Sequence, residues 1–139
     1  MRVCLDTNIL VSAALLGGNE RKLLELARKG KFKLVLSAWI LSELEEVLRT
    51  KIGISDLERY GYIYWLREIS ELARPTTGRL RDKVAGDSDR KVVGTAVAGS
   101  CRYLVTGDKE LLRLGKVRNV EIIKTTEALL KLKRAHREL

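Results

Sequence analysis

Acidic residues at the ends of apolar segments are the chemistry-bearing feature of this chain. Asp6 follows Val3–Leu5, a run without alternation that reads as a strand buried on both faces. Asp108 follows a second such run, Arg102 to Val105, by way of Thr106 and Gly107, the glycine being suited to close approach. A carboxylate at the carboxyl end of a buried strand lies where open α/β sheets collect ligands. Two further acids sit on helical segments. Glu43 and Glu45 fall on opposite edges of the apolar stripe made by Ile40, Leu41, Leu44, Val47 and Leu48, while Glu46 points away. Asp89 shares a helix face with Val92 and Val93 and so points inward. Four carboxylates in one cleft repel one another unless a cation joins them. Oxygen donors without imidazole or thiolate favour Mg2+ or Mn2+.

Composition narrows the alternatives. The chain has 139 residues, 45% hydrophobic and 32% charged, which suits one soluble domain spanning 1–139. A formal net charge of +9 exceeds what a merely solvated lysine-rich surface needs and points toward a nucleic-acid partner. Carboxylate-held metal within a basic surface points to phosphodiester cleavage. The single histidine, His136, falls in the tail, which argues against zinc hydrolases, Ser-His-Asp triads and Cys-His nucleophiles. Cys4 and Cys101 each lie in or beside an expected strand and read as small core residues. No apolar stretch is long enough to cross a bilayer and no signal-peptide pattern opens the chain, so a cytoplasmic protein is expected.

The elements that must position these acids alternate between strand and helix. Strands are expected at 2–5, 33–36, 102–105 and 120–123, with helices at about 8–15, 20–29, 38–49, 55–74 and 89–99. Thr7 and Asn8 suit the cap of the first helix, Ser37 caps the third, and Asp87, Ser88 or Asp89 caps the helix at 89–99. Pro75, the only proline, closes the long helix, whose Tyr60, Tyr62, Tyr64 and Trp65 read chiefly as core packing. Lys109 and Glu110 open a short helix after Asp108. Thr125 or Thr126 caps a last one, where Lys131, Lys133, Arg134 and Arg137 crowd the side away from the core. Such alternation gives an α/β fold, a single three-layer α/β/α domain around a mostly parallel twisted sheet. In that sheet Asp6 and Asp108 open onto one edge, where Glu43 and Asp89 can face them.

Leu5-Asp6-Thr7-Asn8-Ile9-Leu10, Ser42-Glu43-Leu44-Glu45-Glu46-Val47-Leu48, Asp87-Ser88-Asp89-Arg90-Lys91 and Val105-Thr106-Gly107-Asp108-Lys109-Glu110-Leu111-Leu112 occur in that order. Together they resemble the four motifs of the PIN-domain family of metal-dependent ribonucleases, most closely the compact prokaryotic members similar to VapC-type toxins. Carried over by position, Asp6, Glu43, Asp89 and Asp108 would be the catalytic, metal-binding acids. Asn8 would orient Asp6 and Thr106 would hydrogen-bond within the site, with Thr7, Asp87 and Glu110 as supporting neighbours. The resemblance implies Mg2+ or Mn2+ as cofactor, RNA as substrate, frequent homodimers or higher oligomers and, for toxins, an antitoxin protein. One departure is the third region, where basic Arg90 follows Gly86-Asp87-Ser88-Asp89 in place of a longer acidic run. Spacing to Asp108 favours Asp89 over Asp87.

Binding to RNA is expected to draw on Lys131, Lys133 and Arg134 of the C-terminal helix. The chief alternative is a catalytically silent PIN fold that binds RNA or protein, against which the presence of all four acids argues. A haloacid-dehalogenase-type phosphatase needs a second acid two residues after the first, where this chain has Asn8. A response-regulator receiver needs an acidic pair ahead of its strand-borne aspartate, which is missing too.

Overall fold

The computed structural model describes residues 1–137, with the Arg137 side chain, Glu138 and Leu139 lying outside the described part. Four strands occur where the apolar runs place them. They are β1 (Arg2–Leu5), β2 (Lys33–Leu36), β4 (Tyr103–Val105) and β6 (Val120–Ile123). Two more complete a six-stranded sheet: β3 (Ser70–Leu72) and β5 (Lys116–Val117). The order is β3-β2-β1-β4-β6-β5, parallel throughout except for the β5–β6 pair. Central strands are buried on both faces: Val3, Cys4, Leu5, Leu34, Val35, Leu36, Leu104 and Val105 are at most 1% exposed. This is why their sequences are continuous rather than alternating. Both cysteines are free and buried, as small core residues.

The helices are α1 (Thr7–Leu15), α2 (Gly18–Arg28), α3 (Ala38–Val47), α4 (Asp56–Ile69), α5 (Asp87–Ala98), α6 (Lys109–Leu114) and α7 (Thr125–Arg137). From β1 the chain steps outward through β2 to β3, then returns by α5 to β4 and steps the other way to β6. Right-handed crossovers therefore put helices on both faces of the sheet. The reversal of direction falls between β1 and β4, a switch point at which a crevice opens beyond the strand ends.

Boundaries shift by a residue or two at α2 and α3, and three further differences from expectation have a physical reason. The long helix ends at Ile69, and residues 70–72 pair with β2. Leu66, Ile69 and Ala73 keep helical spacing, which hides the change to extended backbone at Ser70. The fifth helix starts at Asp87 with Gly86 as its cap residue, so none of Asp87, Ser88 and Asp89 caps it. The first helix is capped by Asp6 itself, not by Thr7 or Asn8. The aromatic residues of α4 also divide. Tyr62 and Trp65 are half-buried and stacked at 6.2 Å, whereas Tyr60 and Tyr64 are 60% and 66% exposed.

Candidate functional site

Asp6 and Thr106 leave the carboxyl ends of adjacent strands, because β1 and β4 run parallel with Leu5 opposite Val105. The Asp6 amide donates to the Val105 carbonyl at 3.0 Å, extending the ladder one residue past the strand. Asp6 is 7% exposed and Thr106 fully buried. Two donors fix the carboxylate. The Thr7 amide donates to Oδ1 at 2.7 Å and the Thr106 hydroxyl to Oδ2 at 2.7 Å. Asn8 was expected in this role, but it is exposed and neither donor is its own. Its side chain follows the first turn of α1 outward, whereas the Thr7 amide is one of the unpaired donors of the helix start.

The same two threonines reach the next acids. Thr7 donates its hydroxyl to Glu43 Oε1 at 2.6 Å. Thr106 Oγ1 accepts the Asp108 amide at 3.0 Å, and Asp108 caps α6 by accepting the Glu110 amide at 2.8 Å. Gly107 is not needed for close approach, since a Cβ there meets nothing within 4 Å.

Glu43 and Asp89 are carried by α3 and α5, and those helices are tied to each other. The hydroxyls of Ser37, the cap of α3, and Thr95 of α5 meet in the core at 2.9 Å. Higher on α5, Gly94 lies under the Thr76 backbone, whose amide donates to the Gly94 carbonyl at 3.2 Å. A Cβ on Gly94 would stand 2.5 Å from the Thr76 carbonyl oxygen. Such an approach is open only to glycine.

The acids act on one another by repulsion. Burial raises the pKa of Asp6; its two hydrogen bonds oppose the shift, and the charges of Glu43 and Asp108 add to it. Asp89 is also raised, first by burial and then by Asp108, Glu110 and Glu43. Glu43 and Asp108 thus lie within electrostatic reach of both Asp6 and Asp89, and Glu110 within reach of Asp89. Asp87 stays out, its side chain 82% exposed beside Arg90 at 3.5 Å. Glu45 points to another place. It lies 2.9 Å from the guanidinium of Arg59, a buried residue of α4 that also pairs with Asp56 at 2.7 Å.

The donor set suits a hard divalent cation: oxygens only, with Asp6 and Asp89 disfavoured as anions by burial and then by neighbouring carboxylates. Among the described residues, no three acidic, histidine or cysteine side chains stand close enough to enclose an ion in their present rotamers. The chemistry fits such an ion, while a closed cage is not preformed.

The cationic residues expected to hold RNA do not join this cluster. Lys131 leans over the Tyr103 ring at 5.6 Å, whereas Lys133 borders a groove between α2 and α7 and Arg134 is exposed. His136 lies 2.8 Å from the Lys31 carbonyl, just ahead of β2. The end of α7 is therefore at the amino edge of the sheet, opposite the acids.

Known proteins place this arrangement. No curated protein matches the chain. Among solved structures, VapBC2 from Rickettsia felis, bound to a DNA fragment from its promoter, is similar at a TM-score of 0.67 and 22% identity, covering 89% of this chain and 98% of that one. PAE2754 from Pyrobaculum aerophilum gives 0.65 at 15% identity, covering 96% and 90%. VapBC-1 from nontypeable Haemophilus influenzae gives 0.63 at 17% identity, covering 91% and 99%. At these identities the likeness is one of fold. The sequence carries the stronger statement: the profile described as PIN domain matches residues 2–110, from β1 through the opening of α6, a span that includes Asp6, Glu43, Asp89 and Asp108. This chain belongs to the PIN domain family.

Proposed function

We propose that this chain is a metal-dependent endoribonuclease that hydrolyses RNA phosphodiesters as the toxin of a toxin–antitoxin pair. The observation that carries the reading is the state of Asp6. It is buried at a strand end, held by two hydrogen bonds, and disfavoured as an anion by two neighbouring carboxylates. Such a group is costly unless a cation completes it.

Asp6, Glu43, Asp89 and Asp108 would hold Mg2+ or Mn2+, with Glu110 at the border. When bound, such an ion lowers the pKa of water and stabilises charge developing on the phosphate. The chain's own contribution is placement. Thr7 and Thr106 fix Asp6 in one orientation, and the Thr7 hydroxyl holds Glu43 in the same frame. Asp89 and Glu43 keep a common spacing through the Ser37–Thr95 contact. Internal attack by a 2′-hydroxyl relies on a positioned base, most often histidine, and His136 is at the far edge of the sheet. Water is therefore the nucleophile. Its oxygen bonds to phosphorus, the P–O3′ bond breaks, and the products carry 5′-phosphate and 3′-hydroxyl ends.

The charge of +9 supports a polyanionic substrate. An antitoxin partner is supported by the likeness to proteins of VapBC pairs. On α4, Leu57, Tyr60 and Tyr64 are 85%, 60% and 66% exposed on one face, a surface fit for a second copy of this chain. No helix among the described residues is long and apolar enough to cross a membrane, consistent with work in the cytoplasm.

Labelled RNA incubated with Mn2+, Mg2+ or EDTA, with wild type and Asp6→Asn, tests the proposal. Metal-dependent cleavage lost in Asp6→Asn is expected. RNA that is bound but never cut would make the chain a silent PIN fold, and 2′,3′-cyclic ends or cleavage in EDTA would overturn the metal mechanism.

A further inference from the structure

A groove of about 980 Å3 runs between α2 and α7, away from the acids. Its floor is apolar. Leu132 is buried, Leu26 and Leu129 are half-buried, and Leu16 stands 82% exposed at its mouth. Its rim is cationic. Lys22 of α2 and Lys29 at the C-cap of that helix border it, with Lys31 and Lys133 beyond them, all exposed. Among the described residues the one acid in the lining, Glu25, is already paired with Arg28 at 2.9 Å. Arg21 also borders the groove but is turned toward the Ala13 and Ala14 carbonyls.

An apolar floor within a ring of lysines is complementary to a helix whose leucine stripe is flanked by aspartate and glutamate. RNA is a poorer match. Among the described residues no Phe, Tyr or Trp lines the groove to stack a base, and leucines offer nothing to a phosphate. A second copy presenting the same groove would set lysines against lysines. A bilayer is flat and does not reach the floor. We propose that this groove docks an acidic amphipathic helix of a partner protein, at the sheet edge opposite the acid cluster. A partner seated there leaves the acids open, so it would recruit or localise the protein rather than block it. This goes beyond the proposed activity and does not depend on it.

Selection of a displayed library of amphipathic helical peptides on the full-length chain tests the inference. The library carries fixed leucine stripes and randomised polar positions, and Asp6→Asn is screened in parallel so that cleavage has no part in the readout. Enriched peptides should carry acidic residues flanking the stripe. Their affinity should fall at least ~tenfold in Lys22→Glu/Lys29→Glu and in Leu16→Asp, and should weaken with added salt. These side chains are exposed, so the variants should melt like wild type, and RNA cleavage should be unchanged. Peptides without acidic bias, equal binding by the variants, or displacement of the peptides by single-stranded RNA would overturn the proposal.

Discussion

The Thr106 hydroxyl donates to Asp6 Oδ2 at 2.7 Å, joining the ends of two neighbouring strands across a hundred positions of sequence. The same oxygen accepts the Asp108 amide, so one side chain sets two acids. Thr106→Val keeps the shape and removes both bonds. Loss of ~1–3 kcal/mol in a denaturant melt is expected, since a buried carboxylate oxygen and an amide lose their partner. Turnover on labelled RNA should fall ~10- to 100-fold, the usual cost of removing an orienting group behind a ligand. Unchanged turnover would remove Thr106 from the site.

Asp6→Asn should leave the metal-free protein folded and at least as stable as wild type near neutral pH. The folded-state pKa of Asp6 is raised, mainly by burial. A raised carboxyl contributes stability below its unfolded value, about 4, and loses it as pH rises through the folded value. Ionised Asp6 therefore costs stability in the absence of metal. Melts in EDTA should show the variant's advantage shrinking as pH falls toward the unfolded value, about 4, and wild-type Asp6 takes up its proton. A variant that unfolds would make Asp6 structural.

Glu43 and Glu45 should separate by assay. Glu43→Gln should abolish cleavage with little change in melting, because its carboxylate faces Thr7 and the acid cluster. Glu45→Gln should do the reverse, since it sits against the buried Arg59 guanidinium. Paired activity and melting measurements decide this. Loss of cleavage only in Glu45→Gln would mean that α3 is out of register.

Gly94→Ala should destabilise the fold by ~1–3 kcal/mol, a typical cost of overpacking. Its new methyl would meet the Thr76 carbonyl oxygen at 2.5 Å. Because α5 also carries Asp89, cleavage should decline at temperatures where the variant is still folded. Circular-dichroism melts beside activity at one temperature would show both. A variant as stable as wild type would mean that the segment over α5 yields freely.

Much of this was legible in the sequence because the strands are buried on both faces and therefore continuous in type. β1, β2 and β6 fall where their apolar runs begin and end. The short edge strands were not, since Ser70–Leu72 and Lys116–Val117 carry no apolar run; backbone pairing, the Arg2–Glu71 ion pair and the buried Val117 hold them. At the site, acids could be found from position after a strand or on an inward helix face. Which group orients them could not. Asn8 and Thr106 both offer hydrogen bonds, and only the parallel register of β1 with β4 places one of them against Asp6. The C-terminal lysines read as one patch, yet their side chains diverge once Lys131 covers Tyr103. Helical spacing gives a side chain's direction but not what lies beneath it.

The central place of β1 and β4 in the sheet has a consequence for how the protein comes apart. Edge strands β3 and β5 are short, and each pairs with a single neighbour. Amide protons there should exchange through local fraying, whereas those of Cys4, Leu5, Leu104 and Val105 should exchange only when the whole domain opens. Asp6 and Thr106 are attached to this slowest-exchanging pair. The geometry of the first acid should therefore outlast loosening of the periphery under heat or denaturant.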